Sequence, residues 1–274
     1  MFKIAMVVIT ACLTVINASA QKKLKLVWSD EFNYTGLPDT AKWSYETGFI
    51  RNQEKQYYSA ARKENIYVQG GFLEIKAAKE EYPNALFKKG SEEWRTSDSL
   101  AHYTSASINT LGKESWTYGR IEIRAKIPKG LGVWPAIWMM GINRSEVHWP
   151  GCGEIDIMEF VGHDANHIFG SIHFAGEGLQ GHGASHDKIE VTQPYNSFHI
   201  YALEWNSDEI NIFMDDRKYH SFKVDSANTV SHGNPFRKPF YLLLNLALGG
   251  AWGGPIDDHN LPQSFLIDYV RVYQ

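Results

Sequence analysis

Cysteine is nearly absent from this chain: Cys12 and Cys152 are the only two in 274 residues. Cys12 falls in a leader-like segment, in which Lys3 is followed by an apolar stretch from Ile4 to Ile16 and by Ala18-Ser19-Ala20, a small-residue cleavage pattern before Gln21. That order reads as a secretory signal over residues 1–20. The chain from Gln21 onward then holds one cysteine and no possible internal disulfide. Long apolar runs are missing too. The Ile4–Ile16 stretch is too short for a membrane span and is followed too closely by the cleavage pattern. Ile9-Thr10-Ala11-Cys12 resembles a lipoprotein signal, but Leu13 to Ile16 continue the apolar run past the cysteine, which favours export to the periplasm or medium over a lipid anchor. Positive charge is scarce as well. With 27 basic residues against 31 acidic ones the net charge is −4, and no basic stripe is available for nucleic acid. A sustained helical stripe and a linker are also lacking, so residues 21–274 read as one domain without a helical core.

What is present is period-two alternation. Arg120-Ile121-Glu122-Ile123-Arg124-Ala125-Lys126-Ile127 places an apolar residue at every second position, the pattern of a half-buried strand. Segments 72–77, 198–205, 209–214, 240–247 and 265–273 are similar runs rich in β-branched and aromatic residues. Asp215-Asp216, Gly70-Gly71 and Gly249-Gly250 punctuate them as turns. Many short strands separated by turns predict an all-β protein, two antiparallel sheets packed as a sandwich. Two stretches read as loops: 80–99, polar and acidic, and 175–188, rich in Gly, His and Ser. The glycines of Gly176-Glu177-Gly178-Leu179-Gln180-Gly181 match a dinucleotide fingerprint without its helix, and His182 and His186 read as solvated loop residues.

The most telling run is Glu154-Ile155-Asp156-Ile157-Met158-Glu159. On a helix, residues five apart sit about 140° apart, so Glu154 and Glu159 could not share a face. A strand puts Glu154 and Asp156 on one face and Ile155 and Ile157 on the other, and a β-bulge near Met158 would bring Glu159 to the face of Glu154. Three carboxylates on one partly dry face weaken folding unless protons, cations or a reaction justify them. Retaining glycoside hydrolysis uses such a row: one carboxylate attacks the anomeric carbon while a second, kept protonated, gives its proton to the leaving oxygen, the two lying roughly 5 to 5.5 Å apart. A calcium or surface acidic cluster is the plainer alternative. Nine tryptophans suit either a sandwich core or a cleft that stacks sugar rings, and Trp134 and Trp138, four apart in a strand-like run, share one face. Cys152, two positions before the acidic row, has no His or Asp placed beside it by any motif and reads as a small packed residue.

The acidic row resembles the signature of glycoside hydrolase family 16 in its bulged form. Six further blocks resemble its laminarinase branch, in order: Trp28 to Asn33, Arg51 to Tyr58, Tyr118 to Arg120, Trp134 to Met140, Gly170 to Phe174 and Asn245 to Gly250. The resemblance implies a β-jelly-roll sandwich whose concave face forms a substrate cleft. It implies Glu154 as nucleophile, Glu159 as general acid/base, and Asp156 as the neighbour that shares a proton and tunes Glu154. Trp134 and Trp138 would line the cleft, with His173 on the neighbouring strand near the acid/base. Asn52 and Glu54 would bond glucose hydroxyls, and Asn245 and Trp252 would complete the non-reducing side. One structural Ca2+ is expected on the convex face at Glu31, the Gly71 carbonyl and Asp268, with no cofactor needed for the chemistry. Ser107 stands where many relatives carry arginine. The expectation is a secreted, monomeric endo-β-1,3-glucanase acting on laminarin-like glucans, with mixed β-1,3/1,4-glucans as further candidate substrates. The alternatives are an agarase- or carrageenase-like galactan hydrolase and a glucan-recognition module that has lost catalysis.

Overall fold

The computed structural model describes residues 24–176, 181–230 and 233–274. The leader over 1–20 and Cys12 lie outside the described residues. Among those described, no helix is long and apolar enough to cross a membrane.

Two sheets stack face to face. The first, of seven strands, runs in the order His182–Glu190, His167–Ala175, Glu154–Glu159, Val133–Gly141, Phe240–Leu248, Ser107–Asn109 and Ser44–Tyr45. The second has ten strands around a centre of His199–Trp205, Gly119–Lys126 and Gln263–Tyr273. Alternation along Gly119–Lys126 turns Ile121, Ile123 and Ala125 inward, fully buried, while the charged residues between them face out. From the other sheet Ile155, Ile157, Ile137, Met139, Leu242 and Leu244 meet them in one apolar core. Burying each such side chain contributes about 1.5–3 kcal/mol, which fixes strand register because a one-residue slip would turn the whole set outward.

Phe240–Leu248 is buried at every position. Its even-numbered leucines enter the core, whereas Tyr241 and Leu243 join Trp138, Met140 and Cys152 in a second cluster on the opposite face. The sheet is therefore covered on both sides at its centre, and the outer cover is the floor of a cleft. The turns follow their residues. Gly70 and Gly71 both have positive φ and join Ile66–Gln69 to Phe72–Pro83 in a tight hairpin. Asp215, at φ 53°, opens the turn between Glu209–Met214 and Arg217–Lys223.

The structure departs from the sequence reading in three places. Strand Phe72–Pro83 takes in the start of the expected loop at 80–99. Residues 182–190, expected to be mostly loop, form a strand paired residue for residue with His167–Ala175. Both segments are polar because one is the far end of a strand and the other an edge strand, and charge on an edge blocks pairing with other chains. Polarity there reports exposure rather than irregular backbone. Gln56–Tyr58 also pairs in parallel with Leu100–Ser105, so antiparallel pairing is not universal.

Candidate active site

Register along Glu154–Glu159 shows how the three carboxylates meet. Against Val133–Gly141, Asp156 faces Trp138 and Met158 faces Ile137, so two steps on one strand match one on the other. Against His167–Ala175 the same shift falls between Asp156 and Glu159. This is the bulge that the spacing predicts. Ile157 and Met158 are both buried in the core, and Glu159 returns to the face of Glu154. A bulge leaves ladder groups unpaired. Here the Tyr219 hydroxyl donates to the Ile157 carbonyl at 2.5 Å, a cap supplied by the opposite sheet.

The outer face of this sheet bounds a cavity of about 350 Å³. Glu154, Asp156, Glu159, Trp134, Trp138, Asn245, Asn52 and Glu54 all line it. Trp134 Nε1 donates to Glu159 Oε1 at 2.9 Å, so that tryptophan holds the carboxyl as well as offering a ring. Trp138 Nε1 donates to Asn245 Oδ1 at 2.7 Å, Asn245 Nδ2 donates to the Tyr58 hydroxyl at 3.1 Å, and that hydroxyl donates to Glu54 Oε2 at 3.1 Å. Gln56 Nε2 donates to the same oxygen at 2.7 Å. This buried chain fixes the Trp138 ring, since each polar atom would be costly to leave unpaired. The Asn52–Glu54 turn reaches the cleft only because residue 250 is glycine: a Cβ there would sit 2.8 Å from the Asn52 carbonyl, and its φ is +74°.

Two residues sit differently from expectation. His173 is on the neighbouring strand, but directly opposite Glu154, with Nε2 3.3 Å from Asp156 Oδ2 rather than beside Glu159. Strand pairing dictates this, because residues in register meet. Its Nδ1 lies 2.9 Å from His182 Nε2; His182 is solvent-exposed, as its sequence suggested, but stands on a strand rather than in a loop. Trp252 does not line the main cavity. It packs edge-on against Trp134, with ring centroids 5.5 Å apart, and against Phe169, and is partly exposed.

Electrostatics separates the three carboxyls. Asp156, 3 % exposed, is pushed well above the usual carboxylate range, first by burial and then by the negative charge of Glu154. It hydrogen-bonds Glu154, which two carboxyls can do only when one holds a proton. Glu159 is also pushed well up, by burial and then by Asp156, with the Trp134 N–H pulling the other way. Glu154 is raised by burial, but His173 and Arg51 oppose that, and Trp149 and Arg144 add to the opposition. The group titrates together, and its most readily ionised member is Glu154. Cys152 is fully buried and its thiol is pushed up to about 11 by burial, so it is no nucleophile.

On the other sheet, Glu31 receives Arg271 Nε at 3.0 Å and Nη2 at 2.8 Å, and Asp268 is paired with Arg124. Oxygen donors of this kind suit calcium. In this arrangement, however, both carboxylates are already engaged by guanidinium groups. Ser107 donates to Glu46 Oε2 at 2.6 Å, and Glu46 in turn pairs with Arg51. Sequence reasoning missed four cleft residues: Arg51, Arg95, Arg144 and Trp149. Arg95 and Trp149 lie in irregular segments and Arg144 in the short helix Arg144–Val147, where no periodicity marks them.

A β-sandwich with two glutamates on one face of a sugar-sized cleft, one of them raised well above the usual carboxylate range, has the equipment of a glycoside hydrolase. The model for glycosyl hydrolases family 16 matches residues 53–271, and the chain belongs to that family. It is 44% identical to a β-glucanase of Rhodothermus marinus over 264 residues, covering 91% of this chain and 85% of that protein. The X-ray structure of the laminarinase from Rhodothermus marinus superposes with a TM-score of 0.78 at 42% identity, covering 92% of this chain and 98% of the other. A structure from work on endo-acting O-glycanases with which human gut microbes initiate mucin breakdown superposes with a TM-score of 0.86 at 37% identity, covering 92% and 91%. The two-sheet sandwich expected from the strand pattern, and the jelly roll that the resemblance implies, are thus shared with solved members of the family.

Two outcomes test this site. Trp134→Phe removes the N–H that favours ionised Glu159, so the carboxyl holds its proton to higher pH. The alkaline limb of the pH dependence of kcat/KM then moves upward, and an unmoved limb would refute the role given to that bond. Tyr219→Phe leaves the bulge carbonyl unpaired. It should lower unfolding free energy by about 1–3 kcal/mol in a denaturant titration and lower kcat more than it raises KM.

Proposed function

We propose that this enzyme is an endo-acting, retaining β-glucanase that hydrolyses β-1,3-glucosidic bonds in laminarin-like glucans and also accepts mixed β-1,3/1,4-glucans. The observation that carries the reading is the bulge: it sets an ionisable Glu154 and a proton-bearing Glu159 on one face beneath Trp134 and Trp138. The likeness to a β-glucanase and a laminarinase over most of the chain supplies the linkage.

Glu154 attacks the anomeric carbon while Glu159 gives its proton to the departing glycosidic oxygen, leaving a glycosyl ester on Glu154. Glu159, now ionised, takes a proton from water, which attacks the same carbon and releases Glu154. Asp156 shares a proton with Glu154 and hands over charge as Glu154 alternates between carboxylate and ester. His173, against Asp156, holds that carboxyl in place. Trp138 and Trp134 supply faces for sugar rings, and Asn52, Glu54 and Asn245 supply polar contacts at the cleft wall.

Export through the 1–20 leader and action as a monomer belong to the same reading. So does a structural calcium at Glu31, Gly71 and Asp268, which would displace Arg271 and Arg124 from their carboxylates. A second reading, cleavage of a mucin-type O-glycan, is favoured by the higher TM-score to the O-glycanase-related structure, 0.86 against 0.78.

Reducing-sugar release from laminarin, mixed-linkage glucan, agarose and mucin separates these readings. Laminarin should be cleaved fastest. Glu154→Ser should lose hydrolysis by at least about a thousandfold while melting at the same temperature or higher, because the half-buried nucleophile is replaced without disturbing the core and one of three crowded carboxyls is removed. Near-full activity in that variant would remove Glu154 from the chemistry. For calcium, EDTA should lower Tm, since an ion bound only to the folded state stabilises it. An unchanged Tm would discard the metal.

A further inference from the structure

The bulge divides the acidic row. Glu159 goes to Trp134, which donates to it, while Glu154 and Asp156 stay together with His173, the residue opposite Glu154 on the neighbouring strand. One ligand atom from each of these three, a carboxylate oxygen of Glu154 and of Asp156 and a ring nitrogen of His173, lies within 4.8 Å of the other two. Glu159 is not part of that group. His173 Nε2 stands 3.3 Å from Asp156 Oδ2. That oxygen is buried, on a residue only 3 % exposed, and has no hydrogen-bond partner among the described residues. An acceptor buried in this way is costly, and this one faces the imidazole without the alignment of a hydrogen bond.

The imidazole is oriented as a metal ligand would be. Its Nδ1 is 2.9 Å from His182 Nε2, the two rings stack with centroids 5.0 Å apart, and the Trp149 ring lies 4.7 Å from that of His182. With the hydrogen of that contact on His173 Nδ1, the Nε2 lone pair is directed at Asp156, and metal-bound histidines are held by an outer partner of this kind. In a tetrahedral zinc site, bonds of about 2.0–2.1 Å put ligand atoms roughly 3.3 Å apart, the spacing that His173 Nε2 and Asp156 Oδ2 already have. Glu154, half-buried and one methylene longer than aspartate, has the freedom to close the remaining gap. Calcium fits less well, since it takes about six to eight oxygens and this group offers two carboxylates and a nitrogen. Arg51 and Arg144 also act on Glu154 and oppose a dication, which keeps the affinity moderate, although Glu46 offsets Arg51.

We infer that Glu154, Asp156 and His173 form a site for a divalent transition ion of the zinc type, with His182 as the outer partner that orients His173, and that the bound ion reversibly switches the enzyme off. Three protein ligands leave the fourth position of a tetrahedral ion to water. The ion takes the Glu154 oxygen that the anomeric carbon must reach, so ion and glycan exclude each other. The site itself rests on geometry, and only the inhibition rests on the proposed role of Glu154 as nucleophile.

The test uses the full chain, treated with chelator and returned to chelator-free buffer. Calorimetric titration with Zn2+ in the absence of glycan should show one tight site that Ca2+ at the same concentration does not occupy. His182→Phe should weaken that site about tenfold to a hundredfold, the usual cost of losing an outer partner, and His173→Ala should weaken it further, with melting curves recorded to show that both variants fold. On a substrate that the native chain hydrolyses, Zn2+ should raise KM and leave kcat unchanged. Tight binding that persists in His173→Ala belongs to an adventitious ion on surface histidines. That result, or no binding by the native chain, overturns the site. An affinity untouched by His182→Phe overturns the part given to His182, and a kcat lowered at constant KM overturns the exclusion of glycan by the ion. Failure to cleave laminarin counts against the glucanase reading alone, because the calorimetry needs no substrate.

Discussion

Setting three carboxyl groups on one face of a single strand raises the free energy of the folded chain, and much of what surrounds the cleft answers that cost. The first answer is geometric. Without the extra residue at Ile157–Met158, Glu159 would point into the core, where a charge is worse placed than in any cleft. The bulge that rescues it breaks the ladder, and Tyr219 from the facing sheet restores the missing partner of the Ile157 carbonyl. The second answer is protonation. Burial and neighbouring carboxylates raise Asp156 and Glu159 well above the usual carboxylate range, the direction in which a general acid must be shifted.

The rest of the site is a set of devices that hold flat rings and polar groups still over this row. Trp134 is fixed by its hydrogen bond to Glu159 and by edge-on packing against Trp252. Trp138 is fixed by a hydrogen-bonded chain through Asn245 and Tyr58 to Glu54, residues from opposite ends of the sequence. A platform of this kind sits on two nine-residue strands buried at every position, Val133–Gly141 and Phe240–Leu248. Their inner faces are locked in the core, so side chains on the outer face inherit a rigid base, which is what positioned catalysis requires.

Variation enters elsewhere. Arg95, Arg144 and Trp149 come from segments outside the regular sheet and reach over the same cavity. The chemical row thus sits on packed strands, while irregular segments supply part of the cleft's lining. The composition conceals this rim: the net charge of −4 is an average over a surface on which the cations near the substrate are few and local.

By itself the sequence determined the strands, because alternation with period two is a local property, and it determined the acidic row and its bulge, because face parity along six residues leaves no other way to align Glu154 with Glu159. Asp215-Asp216 and Gly70-Gly71 were legible for the same reason, since their backbone preferences are their own. Only the tertiary structure decided which side chains from distant segments converge. His173 meets Asp156 through strand register, and Trp252 meets Trp134 edge to face. Residues 182–190 became an edge strand despite their polarity, because a sheet edge tolerates water. The arginines of the rim carry no periodic mark, and their meeting depends on how irregular segments fold back over the sheet. That is a long-range packing outcome, which no local pattern in the chain encodes.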